Sequence, residues 1–282
     1  MALIYLNGHL VEEADAKISV FDRGFLFSDS IYEVSAVING QPVHLEHHFD
    51  RFLSSCREME FDKPLSQSDF SNIHQSIIKA NDLDEGVIYM QMTRGVAERN
   101  FTYENEMRPT VIAFSKALEI VDHPKAKIGL KIKTRQDLRW ARCDIKTTQL
   151  TAQSMTKTSV NRDGYDDAWM IKDGFITEGT SNNSFIVDKQ GVIITRPLST
   201  DILGGVTRKV IIETARALGY QIEERAFTLD EALMAQEAFS TSTSTVVLPV
   251  IEIDGHMIGD GKPGPVAKSL RSSYIQQIVK TK

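Results

Sequence analysis

The tightest constraint on this chain is a set of Asx–glycine pairs, Asn7-Gly8, Asn39-Gly40, Asp173-Gly174 and Asp254-Gly255, each flanked by short β-forming runs. A two-residue hairpin turn of the commonest type needs positive φ at both positions. Glycine adopts it freely and Asn or Asp tolerates it, so such pairs fold the chain back on itself as antiparallel strands. Leu3-Ile4-Tyr5-Leu6 and Leu10-Val11 read as the arms of a first hairpin. Ser30–Ile38 reads as a strand turned at Asn39-Gly40 into Val43, and another strand pair flanks Asp254-Gly255.

Helical spacing appears between these turns. Leu45, His48, Phe49, Phe52, Leu53 and Cys56 predict an amphipathic helix over 46–60. Phe70, Ile73, Ile77 and Ile78 mark the buried face of a helix over 66–81. Residues 86–94 and 109–115 read as paired strands, separated by a polar excursion over 96–108 without periodicity, of the length at which loops are often functional. The pattern breaks over 117–126 at His123-Pro124, which places a boundary between a small N-terminal α+β domain, 1–119, and a larger domain, 120–282. In the latter, strands are expected at 127–134, 167–171, 175–176, 184–187 and 192–195, helices at 207–218 and 229–235, and a closing helix at 265–279. The run Ser240-Thr241-Ser242-Thr243-Ser244-Thr245 leads into a β-branched strand. The expected class is a two-domain α+β or α/β protein whose second domain is mainly β with flanking helices.

Composition excludes several functions. With 282 residues, 41% hydrophobic and 25% charged, the chain has the balance of an ordinary two-domain globular protein. A net charge of −6 without a long basic run disfavours nucleic acid or an anionic membrane as partner. The longest apolar run, Val246 to Ile251, is too short to cross a bilayer. Asn7, Glu12 and Glu13 interrupt the first segment too early for a signal peptide. Two cysteines, Cys56 and Cys143, support neither a disulfide framework nor a thiolate zinc site. A cytoplasmic location is expected.

Five stretches could carry chemistry. Lys146 ends the run Arg139-Trp140-Ala141-Arg142-Cys143-Asp144-Ile145-Lys146, where two arginines and apolar neighbours would favour a nucleophilic amine; by composition alone it is a surface lysine. Glu178, before Gly179, stands at the end of a short strand or in an exposed turn. Gly204-Gly205-Val206-Thr207-Arg208 precedes a helix and offers either an anion cradle of backbone N–H groups or a cap by Thr207. Thr243 adds hydroxyls, and Arg51 is a cation on the helix over 46–60, a solvated residue by local pattern. Together they supply what a pyridoxal-phosphate (PLP) site requires: a lysine for the Schiff base, a phosphate cradle and an acid for the pyridine nitrogen. The histidines His44, His47 and His48 read as a solvent-facing cluster, not a metal site, because no third ligand stands near. Cys143 reads as a packed thiol and Asp166-Asp167 as a loop end.

The chain resembles the class IV aminotransferases, and among them the bacterial D-amino-acid aminotransferases. The likeness rests on residues 22–34, His48-Phe49-Asp50-Arg51, Thr93-Arg94-Gly95, 139–146, Thr177-Glu178-Gly179, 202–208 and 249–255. It implies the class IV fold and PLP as the cofactor, bound as a Schiff base to Lys146, which then moves the proton. Glu178 would pair with the pyridine nitrogen, and Arg51, Val206, Thr207 and Thr243 would hold the phosphate. Tyr32 and an Arg-x-His pair would bind the substrate carboxylate, that pair coming from the neighbouring subunit of a homodimer and completing a site at the domain interface. Here the pair is Arg99 and Phe101, so a phenylalanine stands where histidine is expected. The implied reaction is transamination between a D-amino acid and pyruvate or 2-oxoglutarate. Phe101 leaves open (R)-amines, branched-chain L-amino acids or aminodeoxychorismate lyase chemistry on the same fold.

Overall fold

The computed structural model describes residues 2–280. Contacts divide the chain into two units, the first comprising residues up to Glu119 with Ile145–Gln149, the second Ile120–Asp144 with the chain from Leu150.

In the first unit β1 (Leu3–Leu6) and β2 (His9–Glu12) close through Asn7 and Gly8, at φ 49° and 99°. There follow α1 (Arg23–Phe27), β3 (Ser30–Ile38), β4 (Gln41–Pro42), α2 (Leu45–Glu58), α3 (Gln67–Asn81), β5 (Gly86–Thr93) and β6 (Thr110–Ala117). The strands form one antiparallel sheet in the order β2-β1-β6-β5-β3-β4. The Ser66 side chain accepts from Asp69 N and caps α3, an interaction of about 1 kcal/mol. Phe49 and Phe52 of α2 pack on Phe70 of α3 with ring centroids 5.4 and 5.3 Å away. Burying each ring contributes about 1.5–3 kcal/mol.

The period-2 pattern of β3 puts Ile31, Glu33, Ser35 and Val37 on one face, all fully buried. Two of these are polar, and each is met by a helix: Glu33 by His48 and Arg51 of α2, Ser35 by His74 of α3. Strand β4 pairs only with Val37 and Ile38, so the edge of β3 away from β5 is open near its start. Residues 145–149 take it: Thr147 bridges Ile31, Lys146 O accepts from Tyr32 N at 3.0 Å, and Thr148 N donates to Ser30 O. The expected second domain, 120–282, therefore loses this segment to the first unit, because backbone groups at a strand edge need partners.

The second unit contains α4 (Lys125–Ile128), β7 (Leu130–Gln136), α5 (Thr151–Arg162), β8 (Asp167–Lys172), β9 (Phe175–Gly179), β10 (Asn183–Val187), β11 (Ile193–Thr195), α6 (Val206–Ala217), β12 (Ile222–Glu224), α7 (Leu229–Leu233), β13 (Glu237–Ser242), β14 (Val246–Ile253), β15 (His256–Met257) and α8 (Pro265–Lys280). Its mixed sheet runs β12-β11-β10-β13-β14-β7-β8-β9, with β15 beside β14. Trp169, Phe227, Ile132, Ile176, Ile186 and Leu248 form its core.

Some boundaries differ from expectation. The strand expected at 127–134 starts as the short helix α4 and becomes β7 only after Gly129. Helix α5 has no apolar stripe, burying only Val160, so periodicity gave no sign of it. Ser240 to Ser242 finish β13, and 243–245 are the turn into β14.

Candidate active site

In the first unit Lys146 is half-buried, with Nζ 4.1 Å from the centroid of the Tyr32 ring. Tyr32 stacks on Tyr89 at 5.3 Å, and Tyr89 on Phe114 at 4.9 Å, so the amine stands on an aromatic stack across β3, β5 and β6. The Lys146 backbone N–H donates to Ser55 Oγ at 3.2 Å, tying the lysine to α2. On the opposite face of β3, Arg51 donates from Nε and Nη2 to the two oxygens of Glu33, at 2.8 and 2.7 Å. His48 Nδ1 lies 2.8 Å from Glu33 Oε2. Burial would raise the Glu33 carboxyl, but Arg51 and His48 outweigh it and hold the group at about 2. Burial pushes His48 down, against the pull of Glu33. Arg51 is thus a partner of a buried acid rather than a solvated residue, and His48, 2% exposed, is a core donor instead of a member of a solvent-facing cluster. The signal was available: an acid at the inward register of β3 requires cations opposite.

In the second unit Glu178 ends β9 in full burial rather than in an exposed turn. Arg139 Nη1 donates to its Oε1, and Asn183 Nδ2 donates to Oε2 at 2.8 Å. The Leu203 N–H is shared by both oxygens at 3.2 Å. Burial pushes the carboxyl up to about 7; Arg139 pulls against this and Asp137 adds to it. Arg139 is divided, since Nε and Nη2 donate to Asp137 at 2.9 and 2.7 Å. Burial would raise Asp137 too, but Arg139 and Thr177 bring it below the usual range. A carboxylate accepts about four hydrogen bonds, so with one N–H shared, Glu178 keeps acceptor capacity for one more donor.

Asn183 also donates to Leu203 O at 2.9 Å, holding the segment that leads into α6. Gly205 is the N-cap of α6, and a Cβ there would lie 2.1 Å from Asn183 Oδ1, so only glycine permits this approach. The N-cap Gly205 has no side chain to cap the helix and Thr207 lies inside it, which corrects the capping reading of Thr207. Its hydroxyl bonds the Tyr274 phenol instead, and the first N–H groups of α6 have no partner within the helix. Thr243 lies half-buried in the hydroxyl-rich turn 243–245, where Ser242 Oγ and Thr245 Oγ1 are 2.7 Å apart. After the turn Val246 adopts φ 61°, unusual for a β-branched residue. Arg271 Nη1 donates to the carbonyls on either side of it, Thr245 O and Val247 O.

The other candidates fall as follows. Arg139 and Arg142 are each paired, the latter with Asp144, so neither leaves its charge uncompensated for Lys146. The Cys143 thiol donates to Trp140 O at 3.1 Å and burial pushes it up to about 11, which makes it a poor nucleophile. Asp167 is not a loop end but a buried start of β8, accepting from Thr180 Oγ1 and Asn182 Nδ2 and so bracing the turn after Glu178. Arg99 is exposed and Phe101 is 79% exposed, both on the loop between β5 and β6.

A family model described as amino-transferase class IV matches residues 30–253. The D-alanine aminotransferase of Staphylococcus aureus (strain MSSA476) is 36% identical over 280 residues, covering 99% of this chain and 98% of that protein. The D-alanine aminotransferase of Bacillus licheniformis is 36% identical over 282 residues, covering 99% of each. Among solved structures, the branched-chain aminotransferase of Thermoproteus uzoniensis with norvaline superposes with a TM-score of 0.86 at 25% identity, over 100% of this chain and 96% of that one. The Escherichia coli branched-chain enzyme shares the fold, with a TM-score of 0.90 at 22% identity over 98% and 94%. Matched over most of its length by the family and over nearly all of it by full-length relatives, this chain belongs to the class IV aminotransferases and is a pyridoxal-phosphate-dependent aminotransferase.

Proposed function

We propose that the enzyme transfers the amino group of a D-amino acid to a 2-oxo acid, pyruvate or 2-oxoglutarate, with the cofactor carried on Lys146. The observation that carries the reading is Glu178: a buried carboxyl at about 7 with room for one more donor, tied through Asn183 and Leu203 to the uncapped start of α6. An acid placed so is held ionised by a cation at that open position, as a protonated pyridine nitrogen would be. The residues present therefore fit the group. The Val206 and Thr207 N–H groups at the start of α6, the Thr243 turn and Arg51 would take its phosphate. When bound, the cofactor supplies an aldehyde that captures an amino group and a ring that spreads the charge left by a departing proton.

The chain's own residues do the rest. Lys146 Nζ would act as the base that takes the substrate's α-proton and then as the acid that completes the 1,3-proton shift. Tyr32 beneath Nζ limits where the amine travels and covers it from water. Asp137 and Thr177 keep Arg139 against Glu178, so the acid stays oriented. Arg99, from the partner of a homodimer, binds the substrate carboxylate, and Tyr32 assists. Two free cysteines accord with action in the cytoplasm, and no helix among the described residues is long and apolar enough to cross a membrane.

The preference for D-amino acids follows from the D-alanine aminotransferases that match over the full length. One observation favours a second reading: Phe101 replaces a hydrogen-bond donor, which suits an (R)-amine, a branched-chain L-amino acid or lyase chemistry on aminodeoxychorismate. Half-reactions with D-alanine, L-leucine and (R)-1-phenylethylamine, followed by cofactor absorbance, decide between them. Fast conversion by L-leucine with none by D-alanine overturns the D-amino-acid reading. Borohydride reduction with peptide mapping places the cofactor on Lys146, or sinks that assignment.

A further inference from the structure

We propose that Arg23 is the positioning residue for Arg99; the inference rests on the reading of Arg99 as the substrate-carboxylate ligand. The loop after β5 has no helix or strand over 98–109, so something other than a ladder of backbone hydrogen bonds must fix its tip. One buried guanidinium does so. Arg23 is 4% exposed, on α1, and its Nη1 donates to Asn100 O at 2.6 Å and, more weakly, to Thr102 O at 3.4 Å. Its Nη2 reaches Phe101 O at 3.4 Å. Three consecutive carbonyls directly after Arg99 thus converge on one side chain, a task for a planar fork of donors that a lysine's point charge does not match.

The fork is itself held. Arg23 Nε donates to Asp29 Oδ2 at 2.8 Å, and Asp29 also accepts from Arg94 Nε at 2.9 and 3.1 Å. Arg94 is anchored on Met59 O and Glu60 O at the end of α2. Its guanidinium lies 3.8 Å from the Tyr103 ring centroid, and Tyr103 donates to Glu60 at 2.9 Å. The two arginines share this one acid, and backbone carbonyls take the N–H groups that it leaves over.

Phe27 links this base to the binding side chain. Its ring centroid lies 4.6 Å from the Arg23 guanidinium and 5.5 Å from that of Arg99, with Phe101 5.7 Å from both the Phe27 ring and the Arg99 guanidinium. Arg99 rests on two aromatic faces, one pinned by Arg23. Where the resemblance leads one to expect a histidine donor, this loop offers a ring that holds the arginine instead.

The test uses the PLP-loaded enzyme and the variants Arg23→Gln, Phe27→Leu and Arg99→Gln, with D-alanine as substrate. Arg23→Gln is expected to raise KM about tenfold with kcat within about twofold, since a displaced binding group weakens substrate capture more than chemistry. It is also expected to speed tryptic cleavage after Arg99 at least about threefold, because an unpinned loop opens more often. Phe27→Leu, which leaves the buried charges intact, shifts both readouts in the same direction by less, and serves alone if Arg23→Gln does not fold. Cleavage at the parental rate in these variants overturns the inference. So does faster cleavage with parental KM when Arg99→Gln raises KM. A parental KM in Arg99→Gln instead overturns the carboxylate reading itself, whatever the cleavage rates.

Discussion

Glu33 and Glu178 are both buried carboxyls facing an arginine, yet one is held at about 2 and the other stands at about 7. The difference lies in how the cation is divided. Arg51 gives Glu33 two arms and His48 adds a third donor. Arg139 gives Glu178 one arm and Asp137 two, and the charge of Asp137 pushes Glu178 further up. Both acids accept from three donors, but those of Glu33 are the two arms of one guanidinium and a histidine, whereas Glu178 has a single guanidinium arm beside two neutral amide donors. Burial alone distinguishes nothing here, and partner sharing decides the role.

The largest effect that tests this contrast is on stability. Glu33→Gln leaves Arg51 and His48 without their anion and is expected to cost about 3–5 kcal/mol by urea unfolding. Glu178→Gln should do the reverse, keeping the unfolding midpoint near the parental value. It is expected to lower kcat for D-alanine about 100-fold, equivalent to about 2.7 kcal/mol, in steady-state assays. If both variants behave alike, the contrast is broken. Asp137→Asn sharpens it by giving Arg139 to Glu178 alone. The Glu178 carboxyl should then fall by about one unit, about 1.4 kcal/mol, read by carboxyl-carbon NMR titration of the cofactor-free protein.

A further test is a pair of opposed pH slopes. Glu33 titrates lower in the folded protein than its ordinary 4.5, so its stabilisation is complete above that pH and lost as pH falls towards 2. Glu178 titrates higher, so its contribution is full below 4.5 and is lost as pH rises through about 7. Melting curves of the cofactor-free protein should show Glu178→Gln gaining on the parent between pH 4.5 and 7. Glu33→Gln should flatten the acid-side loss. A gap between Glu178→Gln and the parent that does not change with pH would place the Glu178 carboxyl in its ordinary range.

The hairpin turns, helices α2 and α3 and the closing helix were legible because each is written locally, in Asx–Gly pairs or in apolar residues at helical spacing. Helix α5 was not, since it buries one residue and its sequence carries no stripe. Lys146, Glu178 and the glycines before α6 are put forward as an ordered set by the family likeness alone. Asp137, Asn183, Glu33 and His48 were missed or misread, because their roles come from groups distant in sequence that hydrogen-bond to them.

The sequence by itself determined the strand-and-turn framework and which residue types stand at the family's positions, Phe101 included, since both are properties of short stretches. Only the tertiary structure decided which unit holds Lys146, that Arg51 serves Glu33, and that Arg23 reaches the carbonyls beside Arg99. The physical reason is that burial and the division of one cation among several acceptors depend on which distant segments meet. These are also the terms that set the titration of Glu33 and Glu178, so the same pair of residue types comes out as scaffold in one unit and as a receptive acid in the other.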